Sequence, residues 1–458
     1  MIDMALEKMT IMGFRGFSSP RTIEFAIQNG KEGSGLTIIT GANNSGKSTI
    51  IECLRAKSTH DSPSFTMGAR NPRVDEVTIT YYENGQESII KSKNKGGSES
   101  EKINCQNPID VFSLSSRRAF QPYFHKGLYN RETYVKSSKL EPQRVAISQT
   151  FQYRLFNIID DKERFNNLLY EVLGYSPEWS IDQSDQGQYF LKFYNGQYSH
   201  SSDGLGEGII SVFAIIDSLY DSKPDSVIAI DEPELSIHPA LQKRLYSLLV
   251  KFSKDRQIII STHSPYFIGV QEIVNGAALV RISNAKGEGI TINQLKAEST
   301  NFLKKFNKPN IFNPHVFGLS SKEVFFQEDN LVLLEGQEDV ILLPKVLDQL
   351  GLSLNGVFFG WGAGGAGNIE GLCHILKDLG FKRVAVILDQ DQKNELQKLK
   401  AKFKKYHFTC IEANDIRTKE PRKATKKKEG LLDENLALHS KYIKPTTLMI
   451  QEINEYLN

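Results

Sequence analysis

Apolar positions along this chain recur at two periods, and the period changes in blocks. Over 8–14, 21–25 and 36–40 apolar side chains alternate or run together for a few residues, and 77–82 and 87–92 form an alternating pair separated by Asn84-Gly85. Such short runs predict strands, and Asn-Gly between two of them predicts a tight hairpin, because both residues accept positive φ. Across 125–200 the spacing turns helical and aromatic-rich. There 145–159 and 162–173 read as helices, with a break at Gly174 and Pro177. Between 201 and 280 an apolar helix, the apolar strand 227–230, a second helix and the apolar strand 258–261 alternate, as in a doubly wound parallel sheet. A second alternation runs through 331–334, 357–359 and 384–388 and ends in a lysine-rich tail. The pattern predicts an α/β protein in four segments: 1–124 and 201–328 as two parts of one core, 125–200 as a helical insertion, and 329–458 as a smaller α/β domain.

Composition narrows this reading only slightly. A chain of 458 residues with 40% hydrophobic and 24% charged residues has apolar matter for more than one core. The formal net charge of +2 places any nucleic-acid affinity in local clusters of charge. Cys53, Cys105, Cys373 and Cys410 show no CxxC spacing, which argues against a zinc ribbon or a disulfide framework and fits a reducing cytoplasm. The first residues are acidic where a secretory signal is basic. No apolar run approaches the roughly 18 residues of a membrane span, so a cytoplasmic location without membrane attachment is expected.

The most specific chemistry lies at Gly41-Ala42-Asn43-Asn44-Ser45-Gly46-Lys47-Ser48, a full GxxxxGK[ST] match behind an apolar strand and ahead of a helix. Glycines let such a loop curl with its N–H groups inward. The lysine supplies charge near the β and γ phosphates, and the hydroxyl reaches Mg²⁺. Gly41, Asn43, Asn44, Gly46, Lys47, Ser48 and the adjoining Thr49 are therefore candidate ATP-binding residues, with Ser48 on the metal. The strand 227–230 delivers Asp231 and Glu232 at its C-terminal end, where α/β sheets bind ligands. Asp231 suits the Mg²⁺ shell, and Glu232 suits orientation of the attacking water.

Pro233-Glu234-Leu235-Ser236-Ile237-His238-Pro239 and the strand ending Ser261-Thr262-His263 follow closely. With the two nucleotide motifs they resemble the ABC/SMC-type ATPases. The resemblance implies a D-loop after Glu232, a switch histidine at His263 and a nucleotide pocket completed by a second copy. It also implies a signature helix end within Ser201-Ser202-Asp203-Gly204-Leu205-Gly206-Glu207-Gly208, where either Ser202 with Gly204 or Gly206 with Gly208 meets the partner's nucleotide. Arg117, Arg118 and Gln121 fall in the Q-loop region.

In the C-terminal domain two apolar strands end in acid: 331–334 before Glu335-Gly336-Gln337-Glu338-Asp339, and 384–388 before Asp389-Gln390-Asp391. Carboxylates from two strand ends can meet at one sheet edge, as a pair of divalent ions roughly 3.5–4 Å apart requires. This arrangement resembles a TOPRIM domain. There Glu335 serves metal or acid–base work, Asp339 is a further ligand, and Asp389 with Asp391 holds Mg²⁺ or Mn²⁺. The glycine run 360–367 reads either as a phosphate-facing loop or as a crossover turn. The basic cluster 417–428 reads either as phosphate-neutralising, with a catalytic lysine somewhere in it, or as a solvated charge run.

An ATPase with an insertion followed directly by TOPRIM resembles the OLD (overcoming lysogenization defect) family of nucleases. The family implies ATP-regulated, metal-dependent DNA cleavage, dimers or tetramers formed through the ATPase and its insertion, and service in anti-phage defence. It also implies operon partners such as a helicase or a retron reverse transcriptase with its RNA. The alternative is an SMC-like ATPase whose TOPRIM-like domain only scaffolds a partner. Topoisomerase or primase chemistry ranks last, because neither a tyrosine nucleophile module nor a primer-synthesis apparatus is recognisable.

Overall fold

The computed structural model describes residues 5–59, 62–66, 68–105, 109–116, 118, 124–137, 151–202, 206–285, 289–306, 329–419 and 428–458. The chain divides into two compact units, Met1–Gln294 and Leu295–Asn458.

In the first unit β1 (Leu6–Met12) and β2 (Arg21–Glu24) precede β3 (Leu36–Thr40) and α1 (Lys47–Ser58). There follow β4 (Thr78–Glu83), β5 (Gln86–Ser92), β6 (Ser100–Ile103) and β7 (Val111–Leu114). Next come α2 (Arg131–Ser137), α3 (Leu155–Asp160), α4 (Lys162–Leu173), β8 (Glu178–Gln183), β9 (Tyr189–Asn195), β10 (Tyr198–Ser201) and α5 (Glu207–Tyr220). The unit closes with β11 (Val227–Asp231), α6 (Pro239–Phe252), β12 (Gln257–Ser261), α7 (Val270–Asn275), β13 (Ala278–Ala285) and β14 (Gly289–Gln294). One sheet, in the order β2-β1-β4-β5-β6, is antiparallel. The other, β14-β13-β3-β12-β11-β7, is parallel except at its β14 edge. Its central strands are buried on both faces, which explains their unbroken apolar runs. The hairpin at Asn84-Gly85 forms with both residues at positive φ, 49° and 73°.

The segment expected to be a helical insertion is helical only in part. Helix α4 forms over Lys162–Leu173 and ends at Gly174 in the left-handed conformation. Residues 138–150, which include part of the expected helix at 145–159, lie outside the described residues, and α3 covers only Leu155–Asp160. Residues 178–201 instead form a three-stranded antiparallel sheet, β10-β9-β8. The period there is two: Trp179, Leu191 and Phe193 point inward, and Trp179 and Phe193 meet Phe213 of α5 edge-on at 5.6 and 5.5 Å. Gly196-Gln197 turns β9 into β10, with Gly196 at φ 61° and Asn195 already paired with Tyr198.

The second unit holds α8 (Ala297–Phe306), β15 (Leu331–Leu334), α9 (Gln337–Leu350), β16 (Val357–Phe358), α10 (Ile369–Asp378), β17 (Val384–Leu388) and α11 (Lys393–Lys402). It ends with β18 (His407–Cys410), β19 (Asp415–Arg417), β20 (Gly430–Leu432) and α12 (Ser440–Leu457). Its main sheet, β16-β15-β17-β18, is wholly parallel. Val332, Leu334, Ala385 and Ile387 pack against Leu343 and Val346 of α9 and Ile450 and Ile453 of α12 in one core. Among the described residues no helix is long and apolar enough to cross a membrane.

Candidate active sites

Strands β3, β12 and β11 are neighbours in that order, so the loops leaving their C-terminal ends lie side by side. In the loop after β3, Gly41, Asn44 and Gly46 take φ of 145°, 60° and 110°. At Gly41 a Cβ would stand 2.2 Å from the carbonyl oxygen of Ile282, so glycine is required by space as well as by conformation. Lys47 is buried, and its Nζ donates to the carbonyl oxygens of Gly41 (3.0 Å) and Ala42 (3.1 Å), folding the ammonium over its own loop. Burial lowers its pKa, against the pull of Glu232, Asp231 and Glu234. Asn43, Asn44, Ser45, Gly46, Lys47, Ser48 and Thr49 line a cavity of about 340 Å³ together with Arg15, Glu232 and His263.

Asp231 is buried at the end of β11 and accepts a short hydrogen bond from Ser261 Oγ. Glu232 sits at φ 47°, a conformation that a non-glycine residue holds only when its surroundings impose it. Two anchors impose it. Its N–H donates to Ser261 O (2.9 Å), and its carbonyl accepts from Arg118 Nη2 (2.6 Å). Arg118, only 4% exposed, also donates to Asp231 O (2.7 Å), Ser115 O (2.9 Å) and Ser211 Oγ on α5 (2.6 Å). Burial brings its pKa down to about 10, so it stays charged. His263 Nε2 lies 3.8 Å from Glu232 Oε1; burial first, then Lys47, lowers its pKa and favours the neutral ring. Glu234 accepts from Thr262 Oγ1 (2.8 Å) and from the N–H of His263, so the segment after β11 holds the end of β12.

Of the signature stretch, Gly204 lies outside the described residues, as do Arg117 and Gln121. Ser202 is buried, whereas Gly206 is the exposed N-cap of α5. Gly208 presses so closely on the preceding loop that a Cβ would stand 2.3 Å from Ser236 O, and Ser236 Oγ donates to Glu207 Oε2 (3.0 Å).

In the second unit Leu334 of β15 stands opposite Ile387 of β17, which brings Glu335 and Asp389 to one sheet edge. The Glu335 carboxylate faces the backbone N–H groups of Asp389 and Ala366, and its Oε2 is buried with no hydrogen-bond partner among the described residues. Burial, then Asp391, raises its pKa. Asp389 is pushed up to about 8 by burial and by Asp339, Glu335, Asp415 and Asp391. Asp339 rises to about 6, chiefly by burial; its Oδ2 accepts from Gly336 N–H (2.8 Å) and caps α9. Asp391 is paired with Lys428 (3.0 Å), and buried Asp415 with Lys419 (2.7 Å), which also reaches Glu338 (2.7 Å). Arg422, Lys423, Lys426 and Lys427 lie outside the described residues. The glycine run packs on the end of β15: the N–H groups of Ala363 and Gly365 donate to Leu334 O (2.8 Å) and Glu335 O (2.9 Å).

An orphaned carboxylate oxygen beside an aspartate whose pKa is raised by burial and then by neighbouring carboxylates fits a divalent cation, because the cation's charge offsets both the desolvation and the repulsion. Among the described residues no three acidic, histidine or cysteine side chains are already gathered around one point. Asp339 and Asp391 each already engage one carboxylate oxygen, Oδ2, with Gly336 N–H and Lys428, which leaves lone pairs for a cation.

Arg15 and Asp415 were not apparent in the sequence, and Arg118 was apparent only as one residue of the Q-loop region. Arg15 (φ 50°) follows β1, pairs with Glu52 (2.7 Å) and lines the nucleotide cavity. Asp415 joins the carboxylates, and Arg118 braces the end of β11. No local motif marks Asp415.

Residues 4–171 match the family model of the AAA ATPase domain, and 137–269 match a second AAA domain, described for the AbiEii toxin of a Type IV TA system. Residues 325–391 match the "Overcoming lysogenization defect protein-like, TOPRIM domain". The OLD nuclease of Thermus scotoductus is 29% identical over 168 residues, covering 35% of this chain and 30% of that protein. The Old nuclease of Escherichia phage P2 is 29% identical over 122 residues, covering 26% and 20%. The Septu protein PtuA of Bacillus thuringiensis is 24% identical over 269 residues, covering 51% and 67%. The matched part thus spans less than a third of the length of either OLD nuclease. The chain resembles that family in its order of parts: an α/β ATPase unit followed by an OLD-like TOPRIM domain.

Proposed function

We propose that this chain is an ATP-regulated, divalent-metal-dependent DNA endonuclease that works as a homodimer or tetramer, in the cytoplasm, in anti-phage defence. The observation that carries the cleavage reading is the approach of Glu335 to Asp389 across neighbouring strands, with a buried carboxylate oxygen left unpartnered. In the ATPase, Lys47, Ser48 and Asp231 would hold ATP and its Mg²⁺. Glu232, fixed in its unusual backbone conformation, orients water beside neutral His263. Exposed Gly206, as N-cap of α5, is better placed than buried Ser202 to meet a second copy's nucleotide. The segments 1–124 and 201–328 form the ATPase, 125–200 is the dimerisation insertion, and 329–458 is the nuclease.

In the TOPRIM unit Glu335, Asp389, Asp391 and Asp339 would hold Mg²⁺ or Mn²⁺. Bound there, the ion polarises the phosphodiester and lowers the pKa of water. Where it is not a ligand, Glu335 would instead take or return a proton at its buried oxygen, and Lys428, beside Asp391, offsets phosphate charge. The nucleotide state regulates cleavage by setting how two copies meet.

Cleavage of supercoiled, linear and single-stranded DNA, with and without metal and ATP, tests the reading. Cutting that needs metal and changes with ATP supports it. ATP hydrolysis with no cutting in any condition supports the second reading, a scaffold for a helicase or a retron nucleoprotein. That reading is favoured by Asp339 and Asp391 being already partnered.

A further inference from the structure

Helix α11 begins two residues after Asp391 and packs Leu396, Leu399 and Phe403 inward along the edge strand β18. Its lysines fall on two flanks. At 3.6 residues per turn Lys393, Gln397 and Lys400 lie within about 60° of one another, Lys398 and Lys402 lie across the helix from them, and Lys404 follows in the turn just past the helix end. The second flank is neutralised within the unit: Lys398 pairs with Glu395 (3.1 Å) and Lys402 with Glu370 (2.6 Å). The first is not. Lys393, Lys400 and Lys404 are exposed and meet no carboxylate among the described residues. Among the described residues Lys393 Nζ donates to the side-chain oxygen of Gln390 (3.0 Å), the residue that follows Asp389. Lys393 and Lys400 both come within electrostatic reach of Cys410 on β18, and Lys400 also of His407. The row therefore starts at the carboxylate edge and runs down the side of the sheet, with about 10 Å of helix between Lys393 and Lys400.

We infer that the stripe Lys393–Lys400–Lys404 is a docking track for the sugar–phosphate backbone of duplex DNA, leading away from the Glu335–Asp389 edge. The occupant follows from charge complementarity. A site crowded with carboxylates repels phosphate, so a bound strand needs cations beside it, and an uncompensated row beginning at that edge matches a row of phosphates. The inference rests on the DNA-nuclease reading and adds to it a path for the substrate.

The test uses the full chain carrying Asp389→Asn, so that DNA is bound and not cut. Affinity for a duplex of about 30 base pairs is measured between about 50 and 200 mM KCl, with and without Lys393→Gln, Lys400→Gln and Lys404→Gln together. Each phosphate contact contributes about 0.9 to the logarithmic salt slope, so losing three lowers the slope by about 2.7. Across that fourfold rise in salt the parent should then weaken about 40-fold more than the triple variant. Lys398→Gln with Lys402→Gln should keep the parent's slope. An unchanged slope in the triple variant, or a stripe that captures acidic lipid vesicles and not DNA, overturns the track, even when the wild-type chain cuts DNA. Failure of wild type to cut, together with failure of the parent to bind, removes the nuclease reading and the track with it.

Discussion

Lys428 Nζ lies 3.0 Å from Asp391 Oδ2, which puts one cation of the basic tail on the second aspartate of the DxD. Lys419, nine residues earlier, is engaged with Asp415 and Glu338 instead. Removing a charged group that faces developing phosphate charge costs about 10²-fold or more in rate. Lys428→Ala should therefore lower metal-dependent cleavage by about that factor with ATP hydrolysis intact. Lys419→Ala should act mainly on thermal stability. Parallel cleavage, ATPase and melting measurements check the contrast, and equal cleavage by Lys428→Ala and wild type contradicts it.

Arg118 bridges the carbonyls of Asp231 and Glu232 to Ser211 on α5 through hydrogen bonds of 2.6–2.7 Å. Hydrogen bonds to charged groups contribute about 1.5–3 kcal/mol each, and several buried acceptors lose their donor together. Arg118→Ala should destabilise the first unit by roughly 3 kcal/mol or more. Arg118→Lys keeps the charge but lacks the planar fork, so kcat for ATP should fall while KM changes little. Wild-type kcat in Arg118→Lys would refute the bracing role.

The carboxyls of Asp389 and Asp339 sit at about 8 and about 6 in the folded chain, above their ordinary 3.8. The folded state thus keeps protons that the unfolded state has released. Stability is full below about pH 4 for these groups and is lost as pH rises through about 6 and then about 8. A divalent cation substitutes for those protons, so the melting-temperature gain on adding Mg²⁺ or Mn²⁺ should grow between about pH 6 and pH 8.5. Asp389→Asn should flatten both trends. A gain independent of pH in wild type would contradict the assignment.

Arg154, fully buried, binds Asp217 (3.0 Å) and Asp221 (2.6 Å) of α5 and its C-cap, and Arg131 reaches Asp221 (2.9 Å). Breaking such a pair from one side leaves a buried charge unpaired and costs about 3–5 kcal/mol. Arg154→Met should show a loss of that size in denaturant unfolding. Arg154→Met with Asp217→Leu should recover part of it, and equal stability of single and double variants contradicts the pairing.

What the chain discloses without coordinates is mostly local chemistry. The loop Gly41–Ser48 and the strand end Asp231-Glu232 are contiguous, so spacing alone marks them, and β3, β11, β15 and β17 announce themselves as apolar runs. The sheet at 178–201 was legible in Gly196 and in the alternation of Leu191 and Phe193 along β9, but helical spacing in the preceding residues masked the change of period. Arg118 falls in the Q-loop region of the sequence, but its hold on the carbonyls of Asp231 and Glu232, like the distant neighbours of Asp415, is nothing a local pattern reports. Asp339 shows the converse: its spacing fits a ligand, and the fold spends one of its oxygens on the N-cap of α9. Of the tail lysines among the described residues, Lys428 meets Asp391, and Lys419 meets Asp415 and Glu338.

The central claim is that Glu335 and Asp389 form one metal-dependent cleavage site. Plasmid cleavage by wild type, Glu335→Gln and Asp389→Asn in Mg²⁺ and in Mn²⁺, with ATP turnover followed in the same samples, addresses it most directly. Both variants should lose cleavage by about 10²-fold or more at unchanged ATP turnover. Wild-type cleavage by either variant would contradict the account.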